Sequence, residues 1–299
     1  MNYNEFQETL LKELESRLDS HISLNPITTT KNNNTLKHGI EFSNDTSNIS
    51  PVLYLDEWYE FYLTGKSLSL IAEDIVELYH QAADVSFTDT EMLLNYEKLQ
   101  EKLLYKLVNF KSNQSLLKDV PHIPYLDLAI VFYVLLDCKD SRMATVLIRN
   151  EHLKTWGKDL NTIFSDARKN TPRVFPAELT PMSDFLQNAF PSSNEFIDSD
   201  RDCVMKSELF ILSNAIRQHG AICTLYDDLM NQIGKTLQDD FFVIPSSVHE
   251  VLLLKASDTD CMELNEIIRE VNETMVIPEE ILSDHAYFYS RDRKELLCA

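Results

Sequence analysis

The sequence predicts an α+β protein with two parts: a helix-rich N-terminal α+β region over residues 1–190 and a C-terminal α+β domain over residues 204–299. Three observations support this prediction. Helical spacings of apolar residues dominate the N-terminal third, one long apolar run lies near the middle, and short apolar strands alternate with helices after residue 204. A stretch rich in Ser, Asn and Asp, at about residues 191–203, is the predicted linker.

Amphipathic helices and one hairpin account for the start of the chain. Apolar residues spaced by three and four over residues 3–18 predict the first helix. β-Branched residues on both sides of a Lys-Asn-Asn-Asn turn predict a hairpin over residues 22–42. Gly65 suits the position just after a helix, and Ser67 suits the cap of the next one. Three further helices are predicted here, over residues 55–62, 68–78 and 96–107.

The centre of the chain is predicted to hold a buried strand. Residues 126–136 are apolar and β-branched in the middle, which is typical of a strand inside a sheet. Asp127 is the one charge near its start and needs a partner if it is buried. Another strand is expected at residues 145–148, a helix capped by Asn150 up to residue 167, and a short helix at residues 185–189.

The last third of the sequence predicts secondary-structure elements in the order β-β-α-β-β-α-β. This order indicates an antiparallel or mixed sheet with helices on one face. The strands at residues 241–244 and 248–254 form a hairpin that turns at the Pro-Ser-Ser segment between them. The other strands are expected at residues 209–212, 221–225 and 286–289, and the helices at residues 229–237 and 264–271.

Charge and composition exclude several classes of function. A net charge of −21 argues against a nucleic-acid groove, which needs clustered Lys and Arg, and against docking on an anionic membrane. Only five glycines occur, and none forms a phosphate-binding loop. The five cysteines are far apart and form neither a disulfide framework nor a metal knuckle. No signal peptide or membrane-spanning run is found, so we expect a cytoplasmic protein.

Two polar clusters are the candidate catalytic residues. No zinc-protease helix, nucleophile elbow, Walker loop or dinucleotide fingerprint occurs, so no cofactor is predicted and no motif identifies a metal site. The first cluster is the segment Ser246-Ser247-Val248-His249-Glu250, in which Ser247, His249 and Glu250 are the candidates. The second is Ser283-Asp284-His285, with Asn272 and Glu273 upstream and with Asp284 and His285 as the candidates. Ser247 and His249 would lie about 6.6 Å apart along one strand face, too far for a nucleophile and its base.

An enzyme is one of two function hypotheses, and it depends on these residues. If the strands of His249 and His285 are neighbours, both imidazoles, together with Glu250 or Asp284, form the site of a hydrolase or metal-dependent enzyme. The alternative for these side chains is that they satisfy backbone groups at turns and strand ends.

The first hypothesis is a non-enzymatic binding or accessory protein with a protein partner. It rests on the acidic composition and on the absence of a catalytic motif. Its candidate surface is Trp58, Tyr59 and Tyr62, for which core packing is the alternative. Mimicry of DNA by surface carboxylates is a third possibility.

Several segments, in order along the chain, carry a resemblance to one family. They are NISPVLYL (48–55), YKLVNF (105–110), YLDLAIVFY (125–133), NTPRVFPAE (170–178), IPSSVHEV (244–251) and LSDHAY (282–287). The chain resembles domain of unknown function 5688, a family of intestinal Gram-positive bacteria often encoded near mobile elements. The resemblance implies a bacterial source and a mobile-element context but no activity, substrate or site residue. Tyr226-Asp227 departs from the expected Tyr-Pro, which puts the start of the next helix in doubt.

Overall fold

The structure is a computed structural model that describes residues 1–44, 52–83, 93–139, 142–189, 209–258 and 261–299. The chain divides into two compact units. Unit 1 contains Met1–Lys31 and Thr35–Leu93, and unit 2 contains Asn32–Asn34 and Leu94–Ala299. Helices occur together with three antiparallel sheets in the described residues, which confirms the α+β class. No helix in this part of the chain has the length and apolar character needed to cross a membrane.

Unit 1 combines three helices with a three-stranded sheet. Its elements are α1 (Tyr3–Glu15), β1 (Ile22–Thr30), β2 (Leu36–Asn44), β3 (Val52–Tyr54), α2 (Asp56–Leu63) and α3 (Leu68–Ala83). The predicted hairpin is confirmed, because β1 pairs antiparallel with β2 along its whole length, and β3 extends the sheet beside β2. Apolar side chains from α1, β2 and α3 meet in one buried core, which includes Phe6, Leu10, Leu14, Ile40, Phe42, Ile71 and Ile75.

Local capping explains where these helices begin and end. The Asn2 side chain accepts the Glu5 backbone N–H at 3.0 Å, and the Glu5 carboxylate accepts that of Asn2 at 3.1 Å, a capping box. Ser67 accepts the backbone N–H of Leu70 at 3.3 Å and so caps α3, as predicted. Gly65 has a φ of +104° just after α2, a conformation that favours glycine.

A four-stranded sheet of unit 2 is built around one central strand. Its members are β4 (Leu103–Asn109), β5 (His122–Tyr125), β6 (Leu128–Lys139) and β7 (Arg142–Leu147). Strand β6 pairs with each of the other three, which confirms the predicted central strand. Every residue of β6 from Leu128 to Val134 is buried, so its apolar run faces the interior on both sides.

The described residues of unit 2 also form a six-stranded antiparallel sheet. Its strands are β8 (Ala177–Pro181), β9 (Leu209–Asn214), β10 (Phe241–Ile244), β11 (Val251–Lys255), β12 (Tyr287–Ser290) and β13 (Glu295–Cys298). Their spatial order is β13-β12-β10-β11-β9-β8. The predicted hairpin is confirmed, because β10 and β11 are paired, although β11 begins only at Val251.

The division into units differs from the predicted domains, 1–190 and 204–299. Strand β8 precedes the predicted linker and pairs with β9 after it, so one sheet takes strands from both sides. The division in the structure falls near residue 94 instead. The linker itself, residues 191–203, lies outside the described residues.

Helices of unit 2 pack on these sheets. They are α4 (Tyr96–Leu99), α5 (Gln114–Leu117), α6 (Asn150–Trp156), α7 (Leu160–Val174), α8 (Met182–Ala189), α9 (Leu229–Leu237) and α10 (Cys261–Thr274). The single helix predicted from Asn150 is two helices, because Gly157 ends α6 with a φ of +62° and Asp159 caps α7 through the Thr162 backbone N–H.

Two predicted elements are wrong, and some strands of the structure were not predicted. Residues 103–107 were expected to be helical and form β4, where side chains on both faces are buried. Residues 220–225 form a short 3-10 turn rather than a strand. Strand β13 was not predicted and pairs with β12. The order after residue 209 is therefore β-α-β-β-α-β-β.

Candidate functional site

His249 lies in the turn between β10 and β11, where backbone groups surround it. Its own N–H donates to Ser247 Oγ at 3.0 Å, and its carbonyl accepts from Ser213 Oγ at 2.8 Å. The Nδ1 atom accepts the backbone N–H of His219 at 3.2 Å, which leaves the proton on Nε2. This Nε2 lies 3.4 Å from Glu280 Oε1. Ser247 and His249 thus satisfy turn groups, as in the alternative stated for them.

The second imidazole beside His249 is that of His219. The two rings are stacked with centroids 5.7 Å apart, and Tyr133 packs edge-on against His219 at 5.9 Å. Burial, with a smaller effect of Lys106, lowers the pKa of His219 well below 6.5, so this ring is neutral at pH 7. Glu250 pairs with Arg217, with Arg217 Nη1 and Glu250 Oε2 3.8 Å apart.

The strands of His249 and His285 are not neighbours. His249 precedes β11 and His285 precedes β12, and β10 lies between these two strands in the sheet. Two inter-strand spacings amount to about 10 Å. A shared His249–His285 site required neighbouring strands, and this condition is not met. His249 and His285 therefore belong to two separate clusters of contacts.

Asp127 is the partner of His285. The His285 Nε2 atom lies 3.4 Å from Asp127 Oδ2, and its Nδ1 lies 2.9 Å from the carbonyl oxygen of Ala286. Asp127 also accepts two hydrogen bonds, from the Tyr287 hydroxyl to Oδ1 at 2.7 Å and from Ser283 Oγ to Oδ2 at 2.8 Å. The expectation that Asp127 needs a partner is thereby met by three side chains.

Cys298, at the end of β13, completes this group. One ligand atom each of Asp127, His285 and Cys298 lie within 4.8 Å of one another, and we call these three residues the Asp127 cluster. Burial and the Asp127 charge raise the pKa of the Cys298 thiol, so it is not a ready thiolate nucleophile. Sequence analysis missed Cys298, because the strand that carries it was not predicted.

Asp284 has a structural role next to this cluster. Its Oδ1 accepts the Asn272 side-chain amide at 3.0 Å, and the same amide donates to the Ser283 carbonyl at 3.0 Å. Asn272 is a buried residue of α10. Asp284 therefore helps to fix the loop before β12 to α10.

The aromatic candidates of unit 1 are half-buried against its core. Trp58, Tyr59 and Tyr62 all pack on that core. The Tyr59 hydroxyl donates to the Met1 carbonyl at 3.2 Å, and its ring meets Tyr3 edge-on at 5.0 Å. This packing agrees with the alternative stated for them, and a binding role for these residues stays a prediction.

Exposed apolar side chains follow one flank of α10 in unit 2. Ile267, Val271 and Met275 recur every four residues and are 49%, 37% and 80% exposed, and Ile277 after them is 51% exposed. We call these four residues the α10 flank. Ile267 and Val271 belong to the helix predicted over residues 264–271. The sequence pattern does not separate them from the buried residues, because a helix that is apolar on its buried face and on one flank has a single periodic pattern.

Acidic residues occupy the outer face of the same helix. They are Glu263, Glu266, Glu270 and Glu273, all exposed. Arg269 is the single basic residue of α10. The exposed surface of α10 therefore combines an apolar strip, the α10 flank, with a row of carboxylates.

The chain matches a model of a protein family. The model described as Family of unknown function (DUF5688) matches residues 3–291, almost the whole chain. The chain belongs to this family. The resemblance drawn from the sequence segments is thereby confirmed, and the family description names no activity. Neither the curated proteins nor the solved structures gave a match, so function has to be argued from the surfaces above.

Proposed function

We propose that this member of the family is a non-enzymatic binding or accessory protein that docks on a basic protein partner through the α10 flank. The exposure of three apolar side chains spaced four residues apart, two on α10 and Met275 directly after it, is the observation that supports the proposal. Contiguous exposed apolar surface with a polar rim is typical of protein-interaction sites. An enzyme that uses His249 with His285 is not proposed, because β10 separates their strands.

The flank offers enough apolar surface for specific docking. Burying a whole Ile, Val or Met side chain contributes about 1.5–3 kcal/mol, and these side chains have roughly half of their surface left to bury. Each therefore adds about 1 kcal/mol to binding. Met275, the most exposed of them, has an unbranched side chain that adapts to the partner's shape.

The charge beside the flank indicates the chemistry of the partner. Glu263, Glu266, Glu270 and Glu273 face solvent on the helix that carries the flank, and the whole chain has a net charge of −21. A partner with an apolar stripe bordered by Lys and Arg is complementary to this surface, and a basic amphipathic helix is the simplest such element. Long-range attraction then speeds association and weakens as salt is added.

A designed peptide tests this proposal directly. The probe is a labelled helical peptide with Leu on one face and Lys on the other, and its matched control has Glu in place of Lys. Binding to the full chain is measured by fluorescence anisotropy at two salt concentrations. We expect the Lys peptide to bind and the double variant Ile267→Ser/Val271→Ser to weaken its binding by about tenfold or more, since two apolar contacts are lost.

The variants separate specific docking from general attraction to an acidic protein. The matched control is Leu63→Ser/Leu70→Ser, which removes two side chains of unit 1 that are 56% and 51% exposed. Equal binding by the α10 double variant and by the native chain would show that only net charge attracts the peptide, and would overturn the proposal. If only the unit 1 control lost peptide binding, the binding surface would lie in unit 1, where Trp58, Tyr59 and Tyr62 are the candidates.

The proposal extends to location and context. Cys138, Cys223, Cys261 and Cys298 are free thiols among the described residues, which supports a reducing compartment such as the cytoplasm of a bacterium. An association with mobile elements rests on the family resemblance alone. Finding the native partner encoded beside the gene would support that part.

A further inference from the structure

We propose that the Asp127 cluster is a binding site for a zinc-like transition-metal ion, with Asp127, His285 and Cys298 as ligands and a fourth position open to solvent. The proposal is independent of the α10 flank. It starts from the convergence of three ligand types, a carboxylate oxygen, an imidazole nitrogen and a thiol sulfur, within 4.8 Å of one another. Carboxylate, imidazole and thiolate are the three side-chain ligand types of zinc in proteins.

The distance between His285 and Asp127 suits a shared metal better than a direct hydrogen bond. The His285 Nε2 and Asp127 Oδ2 atoms are 3.4 Å apart. Hydrogen bonds from nitrogen to oxygen fall at about 2.7–3.2 Å. A tetrahedral zinc ion about 2.1 Å from each atom would place them about 3.4 Å apart. This separation therefore agrees with two ligands of one ion.

The second nitrogen of His285 is oriented as in metal-binding histidines. Its Nδ1 atom lies 2.9 Å from the carbonyl oxygen of Ala286, which can only accept a hydrogen bond. Nδ1 therefore carries a proton, and in the neutral ring the lone pair is on Nε2, towards Asp127. This lone pair and the Asp127 carboxylate therefore face the same point, where one metal ion can bind both.

Asp127 is held in place by groups that leave it able to bind a metal. The Tyr287 hydroxyl donates to Oδ1 and Ser283 Oγ donates to Oδ2. Each carboxylate oxygen accepts more than one interaction, so a lone pair remains available. Such outer hydrogen bonds orient metal ligands, and their loss commonly weakens metal affinity by about 10- to 100-fold.

The set of ligands also indicates the class of metal. A thiolate with an imidazole selects zinc-like transition metals over magnesium or calcium, which prefer oxygen ligands only. Cys298 is exposed, so water can reach the fourth position. Binding would release the thiol proton to solvent, because the thiolate is the form that binds metal.

The test uses the full chain, stripped of metal by a chelator and kept reduced. Zn²⁺ affinity and stoichiometry are measured by competition with a chromophoric chelator, and Co²⁺ is added as a spectroscopic probe. We expect one Zn²⁺ per chain, and a thiolate-to-cobalt charge-transfer band in the near ultraviolet. Cys298→Ser should abolish that band and weaken Zn²⁺ binding at least tenfold, and His285→Gln should weaken it similarly.

A matched control excludes adventitious binding. Cys138→Ser removes another exposed thiol and should leave the band and the affinity unchanged. Ser283→Ala keeps all three ligands and should weaken binding about tenfold. Zinc binding that is unchanged in Cys298→Ser, or no binding of Zn²⁺ by a folded native chain, would overturn the proposal.

Discussion

Gly220 lies where the 3-10 turn after β9 approaches the turn that holds His249. A Cβ atom at this position would overlap Ser213 Oγ and the His249 carbonyl oxygen, and would lie 2.9 Å from the backbone nitrogen of Asn214. Two of these three atoms belong to the backbone, which cannot rotate away. Replacing Gly220 with alanine therefore has to push two chain segments apart.

The cost of Gly220→Ala can be worked from these contacts. Rotating Ser213 away breaks its 2.8 Å hydrogen bond to the His249 carbonyl, a loss of about 1 kcal/mol. Separating packed backbone segments adds about 1–3 kcal/mol. We expect a total loss of about 2–4 kcal/mol in the free energy of unfolding of unit 2.

Gly157→Ala is the matched control. Gly157 has a φ of +62° and nothing within 4 Å of the position that a Cβ would take. Its replacement should cost only the left-handed backbone strain, about 1–2 kcal/mol. Both variants are made in a Trp58→Phe background, so that Trp156, the other tryptophan, reports urea unfolding of unit 2. If Gly220→Ala loses no more stability than Gly157→Ala, the close approach at Gly220 is not as described.

Two further predictions concern buried polar groups. Burial lowers the pKa of His219, so the unfolded chain binds a proton near pH 6.5 and the folded chain does not. The free energy of unfolding therefore falls as the pH is lowered below 6.5. The variant His219→Asn, in which asparagine tolerates the left-handed φ of 53°, should make the free energy of unfolding less dependent on pH in urea titrations at pH 5–8. A slope unchanged in the variant would contradict this assignment. Thr171→Val keeps the shape of a fully buried side chain but removes the acceptor of the Tyr105 backbone N–H, and should lower the free energy of unfolding by about 1–3 kcal/mol. The control Thr155→Val, at an exposed position, should lower it by less than about 0.5 kcal/mol. Equal losses of stability in the two variants would refute the argument.

Elements with a local signal could be predicted from the sequence. The α1 helix has apolar residues at helical spacing and a capping box within its own first turn. The β1–β2 hairpin has a turn-prone segment between two β-branched strands. Strand β6 is a continuous apolar run of the length of one strand. In each case the deciding interactions lie within a few residues of one another.

Elements defined by distant partners were predicted wrongly or missed. Leu99, Leu103 and Leu107 recur every four residues, as on a helix, but β4 is buried on both faces and so shows no alternation that could identify a strand. Strand β13 follows a charged segment and has few buried residues, and only its pairing with β12 defines it. Such pairings cannot be read from the sequence of the strand itself.

The candidate site shows the same limit. His249 and His285 were both singled out as candidate catalytic residues, but their spatial relation depends on the order of strands in the sheet. Asp127 was expected to need a partner, and its partners come from the loop before β12 and from β12 itself. The segments YLDLAIVFY and LSDHAY contain Asp127 and His285, but the family resemblance that they carry implied no site residue, so the cluster could not be predicted from it.

Docking through the α10 flank and metal binding at the Asp127 cluster can fail separately, because they depend on different sides of α10. Asn272 is on the buried side of the helix and holds the Ser283 carbonyl and Asp284, and Ser283 in turn donates to Asp127. Ile267 and Val271 are on the exposed flank, where serine removes no hydrogen bond. Flank variants should therefore weaken peptide binding while Zn²⁺ affinity stays native, and Cys298→Ser should do the reverse. A flank variant that lost both would reveal a general disturbance of α10, and it would then count against neither site.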